Sequence, residues 1–219
     1  MLVRDDILVF DGDHEVTSDS AFRGNESEEK MISESGTDRC REAERFRKID
    51  AAFRAGDLEA LRAAVEDPGS IPNGPMPLAI GPCLEYAIYH SPIAFIRTLL
   101  ELGADPNPTN HAGFPPLLAA LSRHQVPPGG APKTDVTEIV ALLLSFGADP
   151  NQRGINDYTA LHMATSVNHA GVVRLLLEAG ADPALRTRID DCETALQLAE
   201  KGQLKEIAKM LRAAANSQT

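Results

Sequence analysis

Apolar residues in the second half of the chain fall in short blocks with helical spacing. Ile139, Val140, Leu142, Leu143 and Leu144 form one block, and Val172, Val173, Leu175, Leu176 and Leu177 form another. Residues at i, i+3 and i+4 share one side of a helix, so each block predicts a helix with a single buried stripe. Each block ends in Gly-Ala-Asp-Pro, a string found at Gly103–Pro106, Gly147–Pro150 and Gly180–Pro183. The glycine suits the left-handed position after a helix C-terminus, and the proline three residues later prevents the helix from continuing. A second, shorter helical start precedes each block, opened by Pro82-Cys83-Leu84, Pro115-Pro116-Leu117 and Thr159-Ala160-Leu161-His162. Thr159 is placed to cap its helix, with His162 three residues on returning a hydrogen bond.

The three strings are 44 and 33 residues apart, and the three helix starts are 33 and 44 apart. The eleven extra residues therefore lie inside one unit. They are Gln125 to Asp135, with three prolines and two glycines, a composition that helix and strand interiors reject. Removing them restores a period of 33, which is the sign of a stacked repeat. Two weaker copies flank the clear three. Ile49 to Leu61 matches the helix-turn-helix portion upstream, and Thr194–Ala199 with Glu206–Leu211 matches both helices downstream with a shortened turn. Neither end copy carries Gly-Ala-Asp-Pro, as befits capping units whose outer faces meet water.

The period, the Thr-Ala-Leu-His-Met-Ala string at residues 159–164 and the recurrent Gly-Ala-Asp-Pro together resemble the ankyrin repeat. The resemblance covers roughly residues 46–212 and implies an all-α solenoid of stacked helix-turn-helix units with β-turn connections. The units fall at about 46–76, 77–109, 110–153 (with the insertion 125–135), 154–188 and 189–213. It further implies a non-catalytic adaptor or scaffold that binds a protein through its concave face. Carried over by register, the contact positions are Tyr89 and His90; His111, Phe114, Ser122 and Arg123; Ile155, Asn156, Tyr158, Ser166 and Val167; and Asp190, Asp191, Glu193 and Lys201. Tyr, Phe and Arg are favoured interface anchors, although Phe114 and Tyr158 are equally suited to packing between neighbouring turns.

Charge divides the chain. Residues 1–40 hold eleven acidic and four basic side chains, a net of −7 out of −11, so residues 41–219 form the repeat domain and 1–40 an acidic extension. Acidic, Ser- and Gly-containing sequence with few aromatics reads as flexible over residues 11–38. The apolar run Ile7–Phe10 stands out there as a candidate self-docking segment. An alternative function follows: a regulatory protein whose acidic N-terminal segment blocks a site on a target enzyme. An acidic chain with no basic stripe argues against nucleic-acid binding.

Catalytic and metal chemistry find no support in the sequence. The six histidines and three cysteines show no zinc-ligand spacing, and no nucleophile elbow or phosphate-cradling glycine loop occurs. His162 and His169 read as structural, as does Cys83. The expectation is therefore no enzyme, no cofactor and no metal. The scattered cysteines, with no signal peptide or membrane span visible, point to a cytoplasmic location and no membrane insertion.

Overall fold

The computed structural model describes residues 26–74, 76, 81–108, 114–122, 136–188 and 192–217. The insertion 125–135, Ile7–Phe10, His111, Arg123, Asp190 and Asp191 lie outside the described residues.

Ten α-helices occur among the described residues: α1 (Glu26–Ala55), α2 (Leu58–Ala64), α3 (Cys83–His90), α4 (Ile93–Glu101), α5 (Pro116–Ser122), α6 (Val136–Ser145), α7 (Ala160–Ser166), α8 (Ala170–Glu178), α9 (Ala195–Lys201) and α10 (Lys205–Ser217). From α3 onward they pair as hairpins: α3 with α4, α5 with α6, α7 with α8 and α9 with α10. Helices α3, α5, α7 and α9 pack side by side in one row, while α6, α8 and α10 pack in a second. This is the stacked all-α array that the 33-residue period predicts. Regular sheet is absent from the described residues, where only an isolated bridge joins Arg186 and Thr194.

Burial follows the stripes. Ile139, Val140, Leu142 and Leu143 of α6 and Val172, Val173 and Leu176 of α8 are buried in one hydrophobic cluster that runs from Ile49 to Leu211. Leu144 and Leu177 pack half-buried against it, and Leu175 is half-buried as well.

The chain divides into two compact units between Cys40 and Arg41. Residues 26–40 belong to helix α1. Charge and composition argue against independent folding of that stretch, but it contains no proline. Extending an existing helix fixes one residue per new hydrogen bond, far cheaper than starting one.

Helix ends explain the recurrent string residue by residue. Gly103, Gly147 and Gly180 have φ of +90°, +84° and +90°, the left-handed region where only glycine is unstrained. The amide of Gly103 donates to Leu100 O and that of Ala104 to Leu99 O, closing the last turn of α4; α6 and α8 end in the same way. The alanines that follow, Ala104, Ala148 and Ala181, are buried. The aspartates fold the chain onto itself: Asp105 Oδ1 accepts from Asn107 N, Asp149 Oδ1 from Asn151 N and Asp182 Oδ1 from Ala184 N, each at 2.8 Å.

Successive units are joined by an asparagine ladder. Asn107 Nδ2 donates to Gly147 O at 2.8 Å, and Asn107 Oδ1 accepts from Asp149 N at 2.7 Å. Asn151 makes the same pair with Gly180 O and Asp182 N at 3.1 and 2.7 Å. Asn73 makes it with Gly103 O and Asp105 N at 2.7 and 2.8 Å. The glycine and aspartate of each string thus receive the amide side chain of the unit before, and Ala184 ends the series. Asn107→Ala is expected to cost about 1–2 kcal/mol, because two backbone groups lose their partner together. Ala184→Asn should be near neutral. Urea titration of both variants checks this, and equal midpoints would mean the rung carries no stability.

Candidate functional site

The positions expected to contact a partner fall on two margins of the α3–α5–α7–α9 row. Phe114 precedes α5, Ile155 to Tyr158 precede α7 and Glu193 precedes α9, so all lie at helix N-terminal ends. Tyr89 and His90, Ser122, Ser166 and Lys201 occupy the C-terminal ends of α3, α5, α7 and α9. A seven-residue helix rises about 10 Å, which sets the separation of the two margins.

On the first two helices of the row these residues are linked. Glu85 Oε1 accepts from the Phe114 amide at 3.1 Å, tying the loop before α5 to the middle of α3. Tyr89 lies near Ser122 of α5, whose Oγ donates to Leu118 O at 2.9 Å. Burial pushes the Glu85 carboxyl above its ordinary range, against the opposing pull of the Phe114 N–H. Burial also raises the Tyr89 phenol, as does the nearby Glu85 charge, while the Ser122 contact opposes both. Glu85 has no distinguishing mark in the sequence, and only the stacking of α3 on α5 reveals that it joins Tyr89 and Phe114.

His90 belongs to an aromatic group of its own. Its ring lies 4.3 Å from Tyr86, whose other neighbour is Phe53 at 4.8 Å. Tyr86 donates from its hydroxyl to Asp50 Oδ1 at 2.8 Å. Burial disfavours ionisation of Asp50, but hydrogen bonds from Arg54 and Tyr86 outweigh it and hold the carboxyl below its ordinary range.

Before α7 the backbone makes a tight turn over Ile155–Asp157, with Asn156 at φ 59° and Asp157 at φ 60°. Asn156 O accepts from Arg188 N at 2.9 Å, so its main chain joins one loop to the next. Ile155 is 65% exposed and Phe114 36%, two large apolar side chains displayed at successive loops. Tyr158 is half-buried and meets the His162 ring edge-on at 5.8 Å. Arg153 and Arg188 both approach Asp157 Oδ2, at 3.7 and 4.0 Å, and neither arginine was legible as a site residue. Ser166 Oγ donates to His162 O at 3.0 Å, and half-buried Val167 follows as the C-cap of α7. At the last unit Lys201 pairs with the buried Glu193 at 3.2 Å.

The residues weighed for chemistry are absorbed by structure. Thr159 and His162 form a reciprocal capping box, with the Thr159 amide and hydroxyl 3.3 and 2.9 Å from His162 Nδ1. The far side of the ring faces the Glu193 and Leu185 carbonyls, and burial lowers the imidazole below its ordinary value. His169 Nδ1 accepts from Val172 N and caps α8. Burial pushes the Cys83 thiol up to about 12, which leaves no thiolate for attack. Cys40 and Cys192 are exposed and free. Among the described residues no group of three or more His, Cys, Asp or Glu side chains is arranged for a metal ion. No helix among them is long and apolar enough to cross a membrane.

Two family descriptions match the chain: "Ankyrin repeats (3 copies)" over residues 131–219 and "Ankyrin repeats (many copies)" over 84–127. Among curated relatives, a probable E3 ubiquitin-protein ligase of Oryza sativa subsp. japonica is 35% identical over 115 residues, covering 51% of this chain and 20% of its own. Protein fem-1 homolog C of Danio rerio is 36% identical over 70 residues, covering 31% and 11%. An ankyrin repeat-containing protein of Schizosaccharomyces pombe is 37% identical over 65 residues, covering 30% of each. The chain thus spans less than a third of the length of each of these relatives. Together the two descriptions match most of the helix array described above: the chain belongs to the ankyrin repeat family.

Proposed function

We propose that the chain is a non-catalytic adaptor or scaffold that binds a protein partner along the α3–α5–α7–α9 row and the loops beside it. Ankyrin repeats are in general protein–protein interaction modules and typically non-catalytic. The observation that carries the reading is the display of Phe114 and Ile155 at successive loops, since exposed large apolar groups beside half-buried tyrosines make favourable anchors. Tyr89, half-buried against the core on the other margin, has part of its side-chain freedom already spent, so less is lost on binding. The rigid core beneath favours recognition by a preformed surface with little backbone rearrangement. Among the described residues, the remaining contact positions His90, Ser122, Asn156, Tyr158, Ser166 and Lys201 would add to these anchors, and His111, Arg123, Asp190 and Asp191 join them by sequence register alone.

The test is capture of partners by the intact protein beside the double variant Phe114→Ser with Ile155→Ser. Both side chains are exposed, so the thermal midpoint should stay within a few degrees of the parent. Affinity for a captured partner should fall by about 2 kcal/mol or more, roughly 30-fold. Undiminished capture by the variant would overturn the proposed face.

A further inference from the structure

Asn73–Gly74 is the chain's one Asn-Gly dipeptide. Both residues are demanded by the fold. Asn73 makes the first rung of the ladder, donating from Nδ2 to Gly103 O and accepting at Oδ1 from Asp105 N. At Gly74 there is no room for a side chain, because a Cβ would lie 2.3 Å from Ser70 Cβ and 2.7 Å from Ser70 O. The pair is also chemically fragile. In a mobile chain the deprotonated amide nitrogen of a glycine attacks the side-chain carbonyl carbon of the asparagine before it. The new N–C bond closes a five-membered imide and ammonia leaves. Water then opens either imide carbonyl, giving aspartate or isoaspartate.

In the folded array both reacting groups are engaged. The amide of Gly74 donates to Ser70 O at 2.5 Å, and the Asn73 side chain is pinned at both ends by the second unit. The other two rungs are chemically safer, since Asn107 precedes Pro108, which has no N–H, and Asn151 precedes the bulkier Gln152. Asn73 also stands in the unit N-terminal to the groups that pin it, so local opening of that unit is enough to free its side chain.

We propose that Asn73 is a modification site guarded by the ladder: each opening of the first repeat exposes it to conversion to aspartate or isoaspartate, which releases that repeat's loop from the second repeat irreversibly. A carboxylate at position 73 has no hydrogen to donate to Gly103 O. It also brings negative charge beside Asp105 and the C-terminal end of α4, where the helix dipole opposes it. Isoaspartate in addition lengthens the backbone by one carbon.

The experiment incubates the full chain at mildly alkaline pH, in native buffer and in denaturing urea, and follows the peptide containing residues 73–74 by mass spectrometry for replacement of NH2 by OH and for isoaspartate. Conversion in native buffer should be slower by roughly tenfold or more, the factor reporting how seldom the first repeat opens. Two variants loosen that repeat to different degrees. Leu61→Ala removes a buried side chain, and Asp57→Ala removes the cap whose Oδ1 accepts from Ala60 N at 2.9 Å. Either should raise the native rate at Asn73 several-fold without raising it at Asn151. Equal rates in buffer and urea would overturn the guarding role, as would an unaltered rate in a variant whose α2 amides exchange faster. In Asn73→Asp, amide exchange at Asp105 should quicken while that at Asp182 stays constant, and an unaltered Asp105 would overturn the release.

Discussion

Leu143→Ala is expected to destabilise the protein by about 2–5 kcal/mol, the largest effect of any single truncation here. Leu143 is fully buried on α6, which packs against α5 within its own unit and against α8 of the next. Removing three carbons at that place loses the transfer free energy of the side chain and leaves a cavity that two rigid neighbours are poorly able to fill. Position in the array adds to this. Each unit contacts only its neighbours, so stability is a sum of unit and interface terms, and a weak central unit parts the units on either side of it. Urea unfolding of Leu143→Ala, followed by far-UV circular dichroism, should show both a lower midpoint and a broadened or two-step transition. Leu211→Ala, on α10, which packs on α9 and α8, should lower the midpoint while keeping a single sharp transition. A loss below about 1 kcal/mol for Leu143→Ala would mean that the site collapses freely, against the close packing described for this core.

His162→Ala is expected to cost about 2–4 kcal/mol at neutral pH, through loss of the bonds to Thr159 and of a buried ring. The same histidine makes stability depend on acidity. Its folded-state pKa is depressed from 6.5 by burial, because the imidazolium is denied water. The unfolded chain therefore takes up a proton first as pH falls through about 6.5, and the unfolded state is favoured from there down to the lower folded-state value. The stabilisation is full above pH 6.5 and is lost progressively below it. Stability measured between pH 8 and 5 should fall more steeply for the parent than for His162→Gln, in which no charge can form. Parallel curves would show that the ring is solvated enough to protonate without penalty.

The repeat was readable because its punctuation is local. A left-handed glycine, a helix-stopping proline and a threonine three residues before a histidine each act within one turn of chain, and each was found where its chemistry predicts. The asparagine rungs were not readable as such. Asn107 and Asn151 follow the recurrent string directly, so a signal existed in the sequence, but their partners lie 40 and 29 residues away and appear only once units are stacked. Asn73 lacked even that signal, since the string is missing from the first unit. The contact positions divide along the same line. Phe114 and Ile155 are exposed beside helix N-termini, whereas Tyr158 meets the His162 ring within its own unit and Asn156 lends its carbonyl to Arg188. Glu85 escaped notice because a glutamate on a short helix resembles any solvated one until Phe114 donates to it.

The rung chemistry has a bearing on how such a chain can grow. Every rung asks the following unit for the same two groups, a glycine carbonyl and an aspartate amide, and offers the same side chain in return. A gene segment encoding one whole unit, from just after one asparagine through the next, can therefore be duplicated or deleted and the joint re-forms with no new solution to be found. A segment of any other length leaves an amide facing the wrong carbonyl. The eleven residues from Gln125 to Asp135 fall between the two helices of a unit, away from every joint, which is where unequal length is free to accumulate. Adding or removing whole units therefore preserves every joint, whereas extra length is accommodated only in the connectors.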